Sequence, residues 1–249
     1  MDSGRSGGGT DLGRPTLSII IPVYNEGENI ATALAGIRDQ VSKANLEILV
    51  VYDFEEDSTL PVVQRLLPEM PEVRLHRNDL GRGALRAIRS GFGAARGDHL
   101  LVMMADLSDD PADIDVMVGL AAAGADVVAG SRYMRGGHQI GGPLVKRTLS
   151  RVAGLTLHWI GGIPTHDSTS NFKLYSRRLL ESVSIESEAG FELALELTVK
   201  AYLGGMTIVE VPTTWRDRTA GESRFQTRKW LPHYLRWYRV GMLHRLRRR

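Results

Sequence analysis

Leu100-Leu-Val-Met-Met104 is an unbroken apolar run, and Asp106, Asp109 and Asp110 follow it before Pro111. A short run that is apolar at every position reads as a strand covered on both faces. Such a strand belongs in a mainly parallel sheet with a helical layer above and below it, and the remaining sequence has to supply those layers. Pro111 and the amphipathic segment after it place the three carboxylates where the strand becomes a loop. In open α/β sheets ligands bind at that edge. Hard divalent cations take oxygen ligands, so Asp106, directly at the strand end, is the candidate metal ligand. Asp109 and Asp110 also suit the N-cap of a helix starting at Pro111.

The layers are there. Leu17–Val23 reads as a first strand rich in β-branched residues. Tyr24-Asn-Glu26 ends it, and a helix follows over Glu28–Val41. Leu46–Tyr52 is a second strand, closed by the acidic loop Asp53–Asp57 and a helix over Ser58–Leu67. Val73–Arg77 is a short strand, and Asn78–Gly83 turns into a helix ending near Ala95. After the central strand come a helix over Pro111–Ala123 and a strand over Ala125–Gly130. This alternation predicts an α/β fold. The second half is less regular. Gly136, Gly137, Gly141 and Gly142 flank a loop read as mobile, and His138 as a loop residue within it. A helix over Pro143–Trp159 carries Lys146, Arg147 and Arg151. Asn171–Tyr175 is a strand, Phe191–Leu203 a helix and Thr207–Val211 the last strand, with Arg216, Arg218, Gly221, Ser223 and Arg224 in the loop beyond. At 249 residues the chain suits one large domain. The expected organisation is a flexible leader at residues 1–15, the domain at 16–227 and a basic, aromatic-rich helix at 228–249.

Absence of cysteine excludes disulfides and thiolate metal sites. No apolar stretch approaches the length of a bilayer span, and the polar leader is not a signal peptide. The expected location is cytoplasmic. Net charge is +2, yet Arg228–Arg249 holds eight Lys/Arg and no acid, leaving −6 for the rest. That asymmetry marks a tail made for an anionic partner. Trp230, Tyr234, Trp237 and Tyr238 are interleaved with its arginines, and such aromatics suit a headgroup region. The expected partner is the cytoplasmic face of a membrane. Two other readings of the tail are docking to a separate membrane subunit and packing on the domain itself. No nucleic-acid-binding motif is present, so nucleic acid is not an expected partner.

Ile20-Ile-Pro-Val-Tyr-Asn-Glu26 and Val50-Val-Tyr-Asp-Phe-Glu-Glu-Asp-Ser-Thr59, each closing a strand, resemble the family 2 glycosyltransferases of the GT-A fold. Ala105-Asp-Leu-Ser108 is similar to that family's metal-binding motif. Gly130-Ser-Arg-Tyr133, Ser168-Thr-Ser-Asn-Phe-Lys173, Gly190-Phe-Glu192 and Arg218-Thr-Ala-Gly-Glu-Ser-Arg224 follow in the order of the polyprenol-phosphate sugar synthases, nearest the dolichol-phosphate mannosyltransferase type. The resemblance runs from about Leu17 to Arg224. It implies a nucleotide-diphosphate sugar donor, a polyprenyl-phosphate acceptor, mannose or glucose as the sugar, and Mg²⁺ or Mn²⁺ as cofactor. It also implies that Pro22, Tyr24, Glu26, Asp53 and Asp57 line the nucleotide pocket and that Asp106 binds the donor through the metal. Two positions depart from the family pattern. Met104 stands where an acid is usual, which makes Asp109 or Asp110 the substitute ligand, and Tyr52 stands where an aspartate is frequent.

The acceptor chemistry follows from the phosphate itself. A phosphate monoester has a second pKa of about 6, so it needs no general base. The protein must instead hold two anionic groups close together. That calls for a metal on the diphosphate and for arginine forks on the acceptor. Arg132, Arg218, Lys146 and Arg147 are the candidates, with Asp106, Arg132 and Arg218 expected to carry an inverting displacement. Two alternatives remain. A saccharide or small-molecule acceptor would need a carboxylate base, Glu192 or Asp167. A protein of another class would bind nucleotide sugar or scaffold a membrane without catalysis. His166-Asp167 reads as a solvated loop.

Overall fold

The computed structural model describes residues 15–188, 190–217 and 227–247. The expected leader apart from Pro15, the segment with Arg218, Gly221, Ser223 and Arg224, and the side chain of Trp230 lie outside the described residues.

In chain order the elements are β1 (Leu17–Pro22), α1 (Asn29–Gln40), β2 (Leu46–Tyr52), α2 (Thr59–Leu66), β3 (Val73–Arg77), α3 (Ala84–Ala94), β4 (His99–Val102), α4 (Ile114–Ala122) and β5 (Val127–Ser131). Then follow β6 (His138–Ile140), α5 (Leu144–Trp159), β7 (Lys173–Ser176), α6 (Arg177–Ser182), α7 (Leu193–Leu203), β8 (Ile208–Pro212), β9 (Thr214–Arg216) and α8 (Thr227–Arg247). Every residue of β1 is buried. The two-residue period of a strand then divides the apolar side chains between two cores. Ile19, Ile21, Ile48, Val50 and Leu101 join α1, α2 and α4 on one face. Ile20, Leu49, Val51, Leu100 and Val102 join α3 and α7 on the other.

The main sheet has the order β3-β2-β1-β4-β7-β5-β8. All its neighbours are parallel except β7, which runs antiparallel to both β4 and β5. That reversal brings the amino end of β7, and the loop before it, to the edge where β1, β2, β4 and β5 have their carboxyl ends. Lys173 lies opposite Val102 and Ala129.

Two sequence expectations are corrected here. The glycine-flanked segment read as a mobile loop contains β6, which pairs in parallel with β9 through His138↔Thr214 and Ile140↔Arg216. Three residues are too few to show a periodicity, so the pairing is invisible in sequence. The described aromatics of the C-terminal helix, Tyr234, Trp237 and Tyr238, also turn inward. Trp237 is buried with Leu157, Ile163, Leu195 and Val199, and Tyr234, Tyr238 and Met242 pack against them. Arg236 bonds Glu186, and the Lys200 ammonium lies 4.9 Å from the Trp237 ring centroid. An apolar patch on α5 and α7 needed a cover, and α8 supplies it. Among the described residues no helix is long and apolar enough to cross a membrane.

Candidate active site

The chain runs β1, β2, β3 outward and then returns to place β4 on the other side of β1. A crevice opens at such a switch point. On one wall the Val23 amide extends the β1 ladder by donating to Val51 O at 2.9 Å. The chain then turns at Asn25, φ 53°. Asp57 holds this turn from below. It is 1% exposed and accepts from the Asn25 amide through both oxygens at 3.1 Å and from the Thr59 amide at 2.8 Å. The resemblance grouped Asp57 with the pocket lining; the structure makes it the support of that lining. Pro22 is buried, Glu26 half-buried, and Tyr24 exposed at the rim, edge-on to Phe54 with 5.4 Å between ring centroids.

Asp53, at the carboxyl end of β2, accepts from Asn78 Nδ2 at 2.7 Å and from the Gly83 amide at 2.8 Å. It thus pins the Asn78–Gly83 turn beside the crevice. Gly83 has φ 121°, a conformation that side chains resist. A carboxylate offers about four acceptor positions, so Asp53 retains capacity for a ligand. Tyr52, where an acid was expected, is half-buried, and burial followed by the Glu55 carboxylate raises its hydroxyl pKa.

The opposite wall is the acid cluster. Met103 continues the β4 ladder by donating to Ile20 O at 3.1 Å. Leu107 turns the chain at φ 60°, and the Ser108 amide donates to Asp106 Oδ1 at 3.2 Å. Asp110 is a cap: it accepts from the Ala112 amide at 3.1 Å ahead of the 3-10 turn Pro111–Asp113. Asp109 is buried instead. Burial first and the Asp106 carboxylate second push it up to about 7. Two carboxyl groups forced together inside a protein fit a divalent cation, which would cancel their repulsion. Among the described residues no group of three or more His, Asp or Glu could hold a metal. A set of two suits Mg²⁺, which commonly uses one or two carboxylates together with substrate phosphates.

Beyond β4 the edge turns cationic. Arg132 follows β5 and is clamped by Asp167, which is fully buried. Arg132 Nε donates to Asp167 Oδ2 at 2.6 Å and Nη2 to Oδ1 at 2.9 Å. Nη2 also donates to Ser150 Oγ of α5 at 3.0 Å, and the guanidinium lies 4.9 Å from the Tyr133 ring centroid. Burial alone would raise the Asp167 carboxyl, but the Arg132 charge overrides it and holds the group below the usual carboxylate range. Asp167 is therefore no general base, and the solvated-loop reading of His166-Asp167 is also corrected. His166 Nδ1 bonds Glu210 at 2.6 Å while its ring stacks on His158, 3.8 Å between centroids. The Asp167–Arg132 and His166–Glu210 pairings cross more than 30 residues of sequence, so no local pattern announces them. Glu192, the other suspected base, is fully buried beside α7.

Lys146 and Arg147 are half-buried in the first turn of α5. Ser150 lies four and three residues further on, which puts all three on one helix face. That face looks toward Arg132. Gly154 lets α5 lean this close: a Cβ there would stand 2.2 Å from His166 O. Arg218 is outside the described residues. Sequence reasoning assigned no role to Ser150 or Lys173, although Lys173 stands inside a quoted motif; its only signal was a charged residue opening an apolar strand.

Comparison with known proteins gives the family and the fold. The family described as glycosyl transferase family 2 matches over residues 18–184. A dolichol-phosphate mannosyltransferase of Pyrococcus furiosus is 33% identical over 224 residues, 88% of this chain but 62% of that protein. The chain thus spans less than two thirds of that relative. A polyprenol monophosphomannose synthase of Mycolicibacterium smegmatis is 32% identical over 219 residues, 85% of this chain and 82% of that one. Among solved structures, a mannosyltransferase of Pyrobaculum calidifontis in complex with GDP-Man and Mn²⁺ superposes with TM-score 0.64 at 19% identity, covering 93% of this chain and 65% of its own. Glucosyl-3-phosphoglycerate synthase of Mycobacterium tuberculosis, with Mn²⁺, UDP-Glc and phosphoglyceric acid, gives TM-score 0.64 at 20% identity, covering 97% and 85%. At these identities the structures establish the fold, which is GT-A.

Proposed function

The chain belongs to glycosyl transferase family 2, and from that premise we propose that it moves a mannosyl group, with inversion, from a nucleotide-diphosphate sugar to a polyprenyl phosphate. The names of the relatives from Pyrococcus furiosus and Mycolicibacterium smegmatis support the sugar and the acceptor. The observation that carries the reading is the pairing of two anion-handling centres on one sheet edge: the Asp106–Asp109 cluster after β4 and the half-buried, Asp167-clamped Arg132 after β5.

Each residue has a task in this reading. Asp53 and the Tyr24 rim orient the nucleotide, over a turn that Asp57 keeps in place. Asp106 and Asp109 hold Mg²⁺ or Mn²⁺, which supplies neutralisation of the donor diphosphate. Asp167 occupies the Nε–Nη2 side of Arg132, so the guanidinium meets the acceptor phosphate already oriented and its rotamer entropy already spent. Lys146, Arg147 and Arg218 complete the cationic side. No carboxylate is needed as base, because the acceptor arrives as a nucleophile, and Asp167 is committed to Arg132. Positioning and charge stabilisation do the rest.

The membrane side of the reading rests on α5. Val145, Leu149, Val152 and Trp159 form an outward stripe at helical spacing, with Val145 67% and Trp159 70% exposed. Lys146 and Arg151 flank it. Apolar area edged by cations suits an anionic bilayer surface, and the inner face of the same helix carries Ser150 to Arg132. A lipid whose phosphate cannot leave the bilayer is thereby met at the surface. The protein then works as a peripheral enzyme at the cytoplasmic face.

The deciding experiment incubates the full-length chain with Mg²⁺, liposomes containing polyprenyl phosphate and a panel of labelled nucleotide sugars. Transfer of label to the lipid from a mannose donor is expected. Transfer only to a soluble saccharide, or none from any donor, would overturn the reading.

A further inference from the structure

We propose that Lys173 is a positioning residue for the acceptor phosphate: its ammonium fixes the turn from which Asp167 clamps Arg132. The proposal rests on the acceptor assignment above. Lys173 opens β7 and is fully buried, with backbone pairing to Val102 of β4 and Ala129 of β5. That position in a sheet asks for an apolar side chain, and a buried ammonium is costly unless it is well bonded. Its bonds explain its presence. Nζ donates to the carbonyl oxygen of Asp167 at 3.0 Å and to that of Ser170. Both carbonyls belong to the turn that follows Thr165, and neither bond goes to a carboxylate.

The start of the turn is tied to β8, where Glu210 accepts from Thr165 Oγ1 at 3.0 Å and from the His166 amide at 2.8 Å, and the rest is tied from within. Thr165 Oγ1 accepts from the Asp167 amide at 3.1 Å, and Asp167 Oδ1 accepts from the Ser170 amide at 3.2 Å and from Thr169 Oγ1 at 3.3 Å. These contacts fix the start of the turn and its shape. Lys173 ties the Asp167–Ser170 end to the sheet, from the strand that sits between β4 and β5. The acid cluster and Arg132 leave those two neighbouring strands, so the lysine sets Arg132 in register with both. The charged groups facing it are Asp167, Arg132 and Glu210; burial pushes its pKa down to about 7, with Asp167 opposing the shift. A neutral apolar replacement would keep the strand and leave two interior carbonyls without their donor. Arg132 would then lose its fixed orientation while keeping its charge.

The test uses the full-length protein on liposomes carrying polyprenyl phosphate, with thermal melts alongside. K173M is expected to raise KM for the lipid phosphate about tenfold, the scale set by leaving buried carbonyls unpaired, while KM for the nucleotide sugar stays put. K173R, which restores donors to both carbonyls, is expected to return most of that loss. Equal damage to donor and lipid parameters, or an unmoved lipid KM, would overturn the proposal. Should K173M melt below the assay temperature, K173Q is read in its place. Failure of both to fold would also overturn it, by making the lysine a requirement of the core and not of the site. Absence of lipid transfer by the wild type sinks the acceptor reading; wild-type transfer with an unmoved lipid KM in K173M sinks only the lysine.

Discussion

The two halves of the sheet edge are built on different principles. The half formed by β1, β2 and β4 is assembled from strand ends, and each functional side chain sits within a few residues of the strand that positions it. Tyr24 and Glu26 follow β1, Asp53 follows β2, and Asp106 and Asp109 follow β4. The half around β5 is assembled from distant pieces. Arg132 depends on Asp167, Ser150 and, through the turn, Lys173, on three separate elements. The first half carries carboxylates on short tethers, half-buried at Asp53 and Asp106 and buried at Asp109; the second carries a half-buried cation inside a hydrogen-bonded cage. Local construction suits a donor pocket that a metal completes. Caged construction suits an acceptor site where an arginine must face a dianion without a choice of rotamers.

The comparison breaks most sharply at Asp106. D106N should lower turnover by about 10³-fold, the scale of removing a preorganised electrostatic partner, with little change in the melting temperature. Product formation near the wild-type rate would remove Asp106 from the metal site. On the caged side, R132A should cost about 10²-fold in kcat/KM for the lipid phosphate while nucleotide binding by calorimetry is unchanged. R132K should recover only part, because a point charge cannot use the Asp167 clamp as the fork does. Wild-type lipid kinetics in both variants would show that the cage serves stability alone.

Three smaller effects sharpen the contrast. Asp109 is pushed up to about 7, above the ordinary carboxylate value, so between about pH 4 and 7 the folded state binds more protons than the unfolded one. Metal-free stability should therefore fall as pH rises through that window, and the metal concentration giving half-maximal activity should drop by up to about tenfold per pH unit below 7. D109N should flatten both curves; unchanged curves would place Asp109 outside the metal site. V145D combined with V152D should lower partition onto anionic liposomes by about thirtyfold, taking roughly 1 kcal/mol per lost side chain, with the fold intact by circular dichroism. Undiminished pelleting would move the membrane surface off α5. D110A should cost only about 1 kcal/mol of stability, as a cap does, and leave metal dependence unchanged in titrations; a shifted metal requirement would make Asp110 a ligand after all.

Sequence alone determined the sheet, the helical layers and the placing of acids at the ends of β2 and β4. Five apolar residues in a row, the first four of them buried, ended by acids, leave few alternatives, because strand burial and strand-end position are properties of contiguous residues. The strands came within two residues of their observed bounds for the same reason. Tertiary structure alone decided the direction of β7, the β6–β9 pair, the inward turn of the α8 aromatics and the outward stripe of α5. It also decided the partner of Arg132. Asp167 looked like a loop acid or a base because its meaning lies 35 residues away. A helix's aromatic face looks the same in sequence whether lipid or Leu157 and Val199 will cover it. Which of the two wins depends on what apolar surface the rest of the fold leaves open, and that is known only once the chain has closed on itself.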